Sequence, residues 1–220
     1  MNTNKIKFLI YKFPEMGIFI GVIISFLIFY IADNSMADVS TLVRMATQGT
    51  CIGFAAYGMS YLMITGEIDL SSGAVAGLAA TVSGMMLDSG YNELISYTSA
   101  LSVAALVGLL NSFMTLVIGI PSFFGTLGTS FAASGLIIWL LKGRWIYTGD
   151  FIPFLDFLFS PSPFFEFPWI FLFYAILIIF GDILIRTSKL GTILKATGGN
   201  VLSAKIAGIN TNYVKTLCFL

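Results

Sequence analysis

The sequence predicts an all-α fold, a polytopic integral membrane bundle of six transmembrane helices plus the start of a seventh. The first observation is composition: 57% of the 220 residues are hydrophobic and only 10% are charged. Soluble domains carry about 25% charged residues, so these charges cannot coat a globular surface. The second observation is that the charges are separated by long apolar stretches, the longest of which, residues 94–141, exceeds the length of a single crossing.

The boundaries of the spans follow from the uncharged stretches, because one crossing needs about 20 apolar residues. The longest stretch breaks at Ile120-Pro121, since proline lacks a donor and disfavours helix at the preceding residue. The predicted spans cover about residues 16–32, 45–66, 70–87, 95–118, 122–141 and 167–185. We favour a retained helix over a cleaved signal peptide for the first span. A new apolar stretch follows Lys215, so residues 1–220 are expected to be a single, C-terminally truncated transmembrane domain.

The basic residues predict the orientation, because they accumulate beside the cytoplasmic ends of spans. Lys5, Lys7 and Lys12 precede the first span, and Arg186, Lys189, Lys195, Lys205 and Lys215 follow the sixth. Six alternating spans place both groups on one side, so we expect a multi-pass protein of the cytoplasmic (inner) membrane with a cytoplasmic N-terminus. The long external connection, residues 142–167, is either a docking surface for an external partner or an aromatic cap at the membrane interface.

Two carboxylates, Glu67 and Asp69, lie in the short connection between the second and third predicted spans. Charges at membrane depth are costly unless they reach water or hydrogen-bond donors. Asp69 followed by Ser71 is also typical of a helix N-cap, which accepts the orphan N–H groups of the third span. The connection, which begins at Gly66, is therefore a capped helix start in a tight turn or a broken-helix element that lines a transport pathway.

Polar side chains recur in the fourth and fifth predicted spans. Asn111 is the strongly polar side chain deep in the longest uncharged stretch, and it serves either to bond neighbouring helices or to face a pathway. Thr126 and Thr129 place hydroxyls on an otherwise apolar helix. Such hydroxyls either bond back to their own helix or form a face toward a polar pathway.

The segment at residues 186–215 is predicted to lie in the cytoplasm and to contain a short amphipathic helix. Asn200 caps this helix and Gly208 ends it. Its apolar positions are Val201, Leu202, Ile206 and Ile209. Two uses stay open: the helix rests on the lipid surface, or it inserts into a groove of a cytosolic partner.

Several functional classes are excluded by what the sequence lacks. Histidine is absent, the net charge is zero, and Cys51 and Cys218 are separate cysteines in apolar runs. These features disfavour acid–base catalysis, nucleic-acid binding and a CxxC metal site. The sequence also lacks GxxxxGK[ST], HExxH and GxSxG, so we predict neither an enzyme nor a bound cofactor or metal.

These features together resemble a known family. Residues 57–73, YGMSYLMITGEIDLSSG, resemble the signature of ribose-type (simple sugar) ABC transporter permeases, which include xylose, arabinose and galactose systems. Asn111 followed by IPSF at 120–123, TLGT at 126–129 and Gly135-Leu136 resembles the next family block. Residues 190–210 are similar to the segment that meets the ATPase in that family. The blocks occur in family order across residues 50–215.

The resemblance implies the permease subunit of an ATP-driven importer that moves a simple sugar and performs no chemistry itself. It implies a second permease subunit, a cytosolic ABC ATPase, and an extracytoplasmic sugar-binding protein that delivers the solute. The residues implied to couple with the ATPase are Gly198, Gly199, Asn200, Ala204 and Gly208. Those implied to line the translocation pathway are Gly66, Asp69, Ser71, Asn111, Thr126 and Thr129.

The sequence departs from the family pattern at Glu67, where the family usually has glycine. The predicted spans are also fewer than in the family's permeases, which is the basis for expecting truncation. An alternative function is a secondary transporter, in which Glu67 and Asp69 would be ion or proton sites.

Overall fold

The computed structural model describes residues 16–146, 152–163 and 165–220. It shows a helical membrane protein, with one short two-stranded hairpin that the all-α prediction did not include. The N-terminal lysines used to orient the chain, Lys5, Lys7 and Lys12, lie outside the described residues, as do residues 147–151 of the predicted external connection.

The first half of the described chain is a series of long helices. They are α1 (Met16–Ala32), a 3₁₀ turn (Asn34–Ala37), α2 (Val39–Ile64), α3 (Ser72–Asp88), α4 (Glu93–Phe113) and α5 (Ser122–Leu141). The second half has shorter elements around one long helix. They are α6 (Pro153–Phe159), β1 (Pro161–Ser162), β2 (Phe165–Pro168), α7 (Trp169–Thr187), α8 (Lys189–Gly199), α9 (Val201–Ile206) and α10 (Thr211–Phe219). The two strands pair antiparallel.

The predicted count of six spans and the start of a seventh is not confirmed. Among the described residues, three helices are long and apolar enough to cross a membrane: 93–118, Ser122–Leu141 and Trp169–Thr187. Both α1 and α3 have 17 residues. The predicted seventh helix also starts earlier than Lys215, at Thr211, because the Asn210 side chain accepts a hydrogen bond from the Tyr213 N–H at 3.1 Å and caps it there.

The chain divides into two compact units after Gln48. In the first, α1 leads into the 3₁₀ turn, whose cap is Asp33: its carboxylate accepts a hydrogen bond from the Ser35 N–H at 2.9 Å. This bond holds the pKa of the Asp33 carboxyl below its usual value, because it favours the charged form. Helix α2 begins in this unit and continues into the second.

In the second unit, α3 packs against α4 and α5, and α10 packs against α4. Helix α4 is followed directly by one π-helical turn, Met114–Ile118, and Gly119 then turns the chain with a φ of 86°. The Ile120 N–H donates to the Met114 carbonyl at 3.0 Å, and α5 starts directly after Pro121. The predicted break at Ile120-Pro121 is confirmed, and it turns α5 back beside α3.

The interior of the described chain is mainly polar, and its surface is apolar. The fully buried side chains include Asn111, Thr65, Thr126, Thr197, Thr211, Ser71 and Ser96, beside Leu62. Large apolar side chains are exposed along the helices, among them Ile18, Leu101, Phe131, Ile138 and Ile176. This arrangement is the reverse of a soluble core, and it suits helices that meet lipid outside and bond one another through small polar residues inside.

Aromatic rings pack together where the external connection was predicted. Phe157 stacks on Trp169 with ring centroids 5.6 Å apart, and Phe154 lies 5.8 Å from Tyr97. The Phe154 N–H also donates to the Glu93 carboxylate at 3.2 Å, which ties α6 to the start of α4. These contacts have the form expected of an aromatic cap.

Candidate functional site

The site is built on the break between α2 and α3. Helix α2 ends at Ile64, and Gly66 adopts a φ of +86°, a left-handed conformation that glycine takes without strain. The N–H groups of Gly66 and Glu67 bond back to the carbonyls of Met63 and Leu62 at 3.0 and 3.3 Å. Gly66 thus ends α2 as a C-terminal cap and directs residues 66–71 across the end of the helix.

Asp69 organises the start of α3. One of its carboxylate oxygens accepts hydrogen bonds from both the N–H and the hydroxyl of Ser71, each at 2.6 Å. Ser71 itself makes no side-chain cap. The predicted side-chain cap of the α3 N–H groups is therefore not formed: Asp69 instead bonds the N–H of Ser71, the residue just before the helix, and its charge lies near the positive end of the α3 dipole.

Asn111 joins three helices. Its amide nitrogen donates to the Ser71 hydroxyl at 2.9 Å, and its amide oxygen accepts from the Thr129 hydroxyl at 2.8 Å. Only 1% of Asn111 is exposed, so both bonds lie inside the bundle. Asn111 thus links α4 to the start of α3 and to α5, and a position facing a transport pathway stays a prediction.

Hydroxyls from the first turns of α5 hold the backbone of the break. The Thr126 hydroxyl oxygen accepts from the Leu70 N–H at 3.0 Å, and the Ser122 hydroxyl oxygen accepts from the Ile68 N–H at 3.2 Å. Sequence reasoning had selected Thr126 but missed Ser122, which lies one helical turn before it and was signalled by its place after Pro121. We call these side chains, which bond either one another or the backbone of residues 68–70, the polar cluster: Asp69, Ser71, Asn111, Ser122, Thr126 and Thr129.

Glu67, the residue that departs from the family pattern, has a distant partner. Its carboxylate accepts from the Lys215 ammonium at 2.5 Å, and the two side chains are 15% and 12% exposed. The partners are 148 residues apart in sequence, so no local pattern signalled the pair.

The predicted short helix at residues 200–209 is present as α9. Asn200 caps it by accepting from the Ser203 N–H at 2.9 Å, and Gly208 follows it with a φ of +84°. Ala204 is buried, whereas Leu202 and Ile206 are 70% and 80% exposed. The helix is thus anchored through Ala204 and turns its largest apolar side chains outward.

The end of α8 lies directly against the end of α2. A side-chain carbon at Gly198 would overlap the carbonyl oxygen of Ile64, whereas one at Gly199 would meet nothing within 4 Å. The neighbouring Thr197 is fully buried. The predicted coupling residues therefore divide: Gly198 and Ala204 are packed inward, and Gly199 is open. The contact between Gly198 and Ile64 places this segment beside the break between α2 and α3, which carries the polar cluster.

Comparison with known proteins identifies a family for most of the chain. A family model described as the permease component of a branched-chain amino acid transport system matches residues 41–220. This range contains both α9 and the whole polar cluster. No solved structure matches the chain.

Curated relatives similar to the chain include three proteins that carry the name autoinducer 2 import system permease protein LsrC. The protein of Yersinia enterocolitica is 28% identical over 203 residues, covering 91% of this chain and 55% of the relative. That of Escherichia coli O9:H4 is 26% identical over 93% of this chain and 59% of the relative. That of Photorhabdus luminescens is 27% identical over 93% of this chain and 61% of the relative. The chain thus spans well under two thirds of the length of these relatives.

Proposed function

The chain belongs to the transport-system permease family that matches residues 41–220, and from this membership we propose that it is the permease subunit of an ATP-driven importer in the cytoplasmic membrane. The proposal includes a cytosolic ABC ATPase, an extracytoplasmic binding protein and a second permease subunit as partners. ATP hydrolysis belongs to the ATPase, and the permease supplies the pathway through the lipid bilayer.

The observation that carries this proposal is the placement of α9. It presents Leu202 and Ile206 outward, while its buried Ala204 and the adjacent Gly198 lie against the rest of the bundle. An exposed apolar helix face is a surface that a partner's groove recognises. A partner bound to α9 would act within a few residues of the break between α2 and α3, so its movement reaches the polar cluster directly.

Contacts within the second unit support the proposed alternation of the connections between the two sides of the membrane. Two segments expected in the cytoplasm touch each other: Gly198 lies against Ile64, and Lys215 pairs with Glu67. Segments expected outside also touch, since the Phe154 N–H donates to the Glu93 carboxylate. These pairings agree with alternating crossings, and the basic residues near Gly198 and Lys215 are what assign their side to the cytoplasm.

The carboxylates of the break support an importer over a secondary transporter. Glu67 is neutralised by Lys215, and one Asp69 oxygen is occupied by the two donors of Ser71. A carrier that moves ions or protons through these groups needs them free to bind and release that cargo. Both are instead engaged in contacts that hold helices together.

The proposed substrate is a simple sugar of the ribose, xylose or galactose type, as the resemblance implies. The names of the relatives add autoinducer 2 as a second candidate. We infer that the binding protein makes the choice among such solutes.

The test is uptake into cells that express the chain with its ATPase and binding protein. Labelled ribose, xylose, galactose and autoinducer 2 are supplied with ATP kept high and the proton gradient collapsed. The proposal expects one of these solutes to enter under these conditions, and no uptake after a Walker-motif variant of the ATPase. Uptake that stops with the gradient while ATP is high would instead identify a secondary transporter.

A further inference from the structure

We propose that Glu67 is a positioning residue, whose ion pair with Lys215 fastens α10 to the break between α2 and α3 and so transmits movement of α9 to the polar cluster. The inference rests on the proposed function, because it assigns a mechanical path within the permease. It concerns a residue at which this chain departs from the family pattern.

The pair is one of a series of contacts that α10 makes with the rest of the second unit. Lys215 contacts the Glu67 carboxylate at 2.5 Å, and the next residue, Thr216, shares a hydrogen bond of 2.7 Å with the Ser112 hydroxyl of α4. One turn further, the Phe219 carbonyl lies so close to Gly108 that a side chain there would overlap it. Helix α10 is thus held to the break by charge and to α4 by polar and backbone contacts.

Among these contacts, the ion pair between Glu67 and Lys215 is the one that reaches the break between α2 and α3. The Glu67 and Lys215 side chains are 15% and 12% exposed, so water screens their attraction weakly. Removal of either partner strands the other charge in a low-exposure site, which is the costly case for an ion pair.

The path from α9 to the cluster is short at every step. Only residues 207–210 separate α9 from α10, and Gly208 and Asn210 fix that connection as a helix end and a helix cap. Lys215 then holds Glu67, which is two residues from Asp69 in the same tight connection. A displacement of α9 therefore shifts α10, and the ion pair passes that shift to the residues that start α3.

The first arm of the test uses the full chain alone in lipid vesicles and measures hydrogen exchange of the α10 amides. We compare Glu67→Gln, Lys215→Met and the charge swap Glu67→Lys/Lys215→Glu. Each single variant is expected to speed hydrogen exchange of the α10 amides by about tenfold. This change corresponds to a part of the free-energy cost of leaving one charge of a low-exposure pair without its partner. The swap is expected to return the exchange rate toward that of the parent chain.

The control for this arm is Asp182→Asn, which breaks an ion pair of 2.8 Å whose side chains are 54% and 73% exposed. Exposed pairs contribute little, so exchange in α10 should stay unchanged. The proposed fastening would be overturned if the α10 amides of the single variants exchanged at the parent rate. It would also be overturned if those of the swap variant exchanged as fast as those of the single variants.

The second arm uses the assembled importer and measures substrate moved per ATP hydrolysed. Glu67→Gln is expected to lower this ratio by about tenfold while the ATPase still co-purifies, because the motion no longer reaches the break. The swap is expected to restore it, and the ATPase that co-purifies with each single variant separates this loss from a loss of folding. A ratio unchanged in both single variants would overturn the positioning role. A parent chain that recruits no ATPase would refute the proposed function, and the first arm would still decide the ion pair.

Discussion

Replacing Gly198 with alanine tests the contact between α8 and α2. The added carbon would overlap the Ile64 carbonyl oxygen and lie 2.9 Å from its carbonyl carbon. Carbon–carbon contacts relax at about 3.5–4.0 Å, so the carbonyl carbon alone requires the end of α8 to retreat by about 0.6 Å, and the nearer oxygen requires more. Backbone atoms cannot rotate away as a side chain would. Forced insertions of this kind cost about 1–3 kcal/mol, and we expect a loss of that size in the free energy of unfolding.

The matched control is Gly199→Ala, one residue further along the same helix. A carbon there meets nothing within 4 Å, so the variant should keep or slightly raise the stability, because alanine favours helix over glycine. Thermal unfolding in lipid nanodiscs measures both, and co-purification with the ATPase reports whether the displaced α8 still presents α9. If Gly198→Ala unfolded at the same temperature as Gly199→Ala, the result would contradict the close contact between Gly198 of α8 and Ile64 of α2.

Three further changes follow from the site. Asn111→Leu removes two interhelical hydrogen bonds and should lower the unfolding free energy by about 1–2 kcal/mol in nanodiscs; an unchanged value would contradict the bridging geometry. Thr126→Val strands the Leu70 N–H and should cost about 1–3 kcal/mol, whereas Thr98→Val, whose hydroxyl bonds carbonyls of its own helix, should cost less; equal costs would argue against the contact. Leu202→Asp should leave the unfolding temperature unchanged but reduce ATPase co-purification, and retained co-purification would count against α9 as the docking helix.

Features with local chemical causes were predicted well from the sequence. The break at Ile120-Pro121 follows from the missing donor of proline and is confirmed. The cap at Asn200 and the left-handed Gly208 bound α9 as predicted, because a side-chain oxygen and a glycine decide helix ends within a few residues.

Features that depend on distant residues could not be predicted. The partner of Glu67 lies 148 residues away, and only the packing of α10 brings Lys215 to it. The bridging bonds of Asn111 likewise depend on where α3 and α5 end up beside α4. The predicted count of six spans is not confirmed, because α1 and α3 have only 17 residues each and three of the described helices are both long and apolar enough to cross a membrane.

Our account depends most on the proposal that a separate ATPase subunit binds α9. The most direct measurement is photo-crosslinking in inside-out membrane vesicles from a probe placed at Leu202, with a matched probe at Tyr91, which is 51% exposed at the opposite end of α3. Our account predicts a crosslink to the ATPase from position 202 and none from position 91. A crosslink from position 91, or contact of position 202 with lipid alone while the ATPase is present, would contradict it.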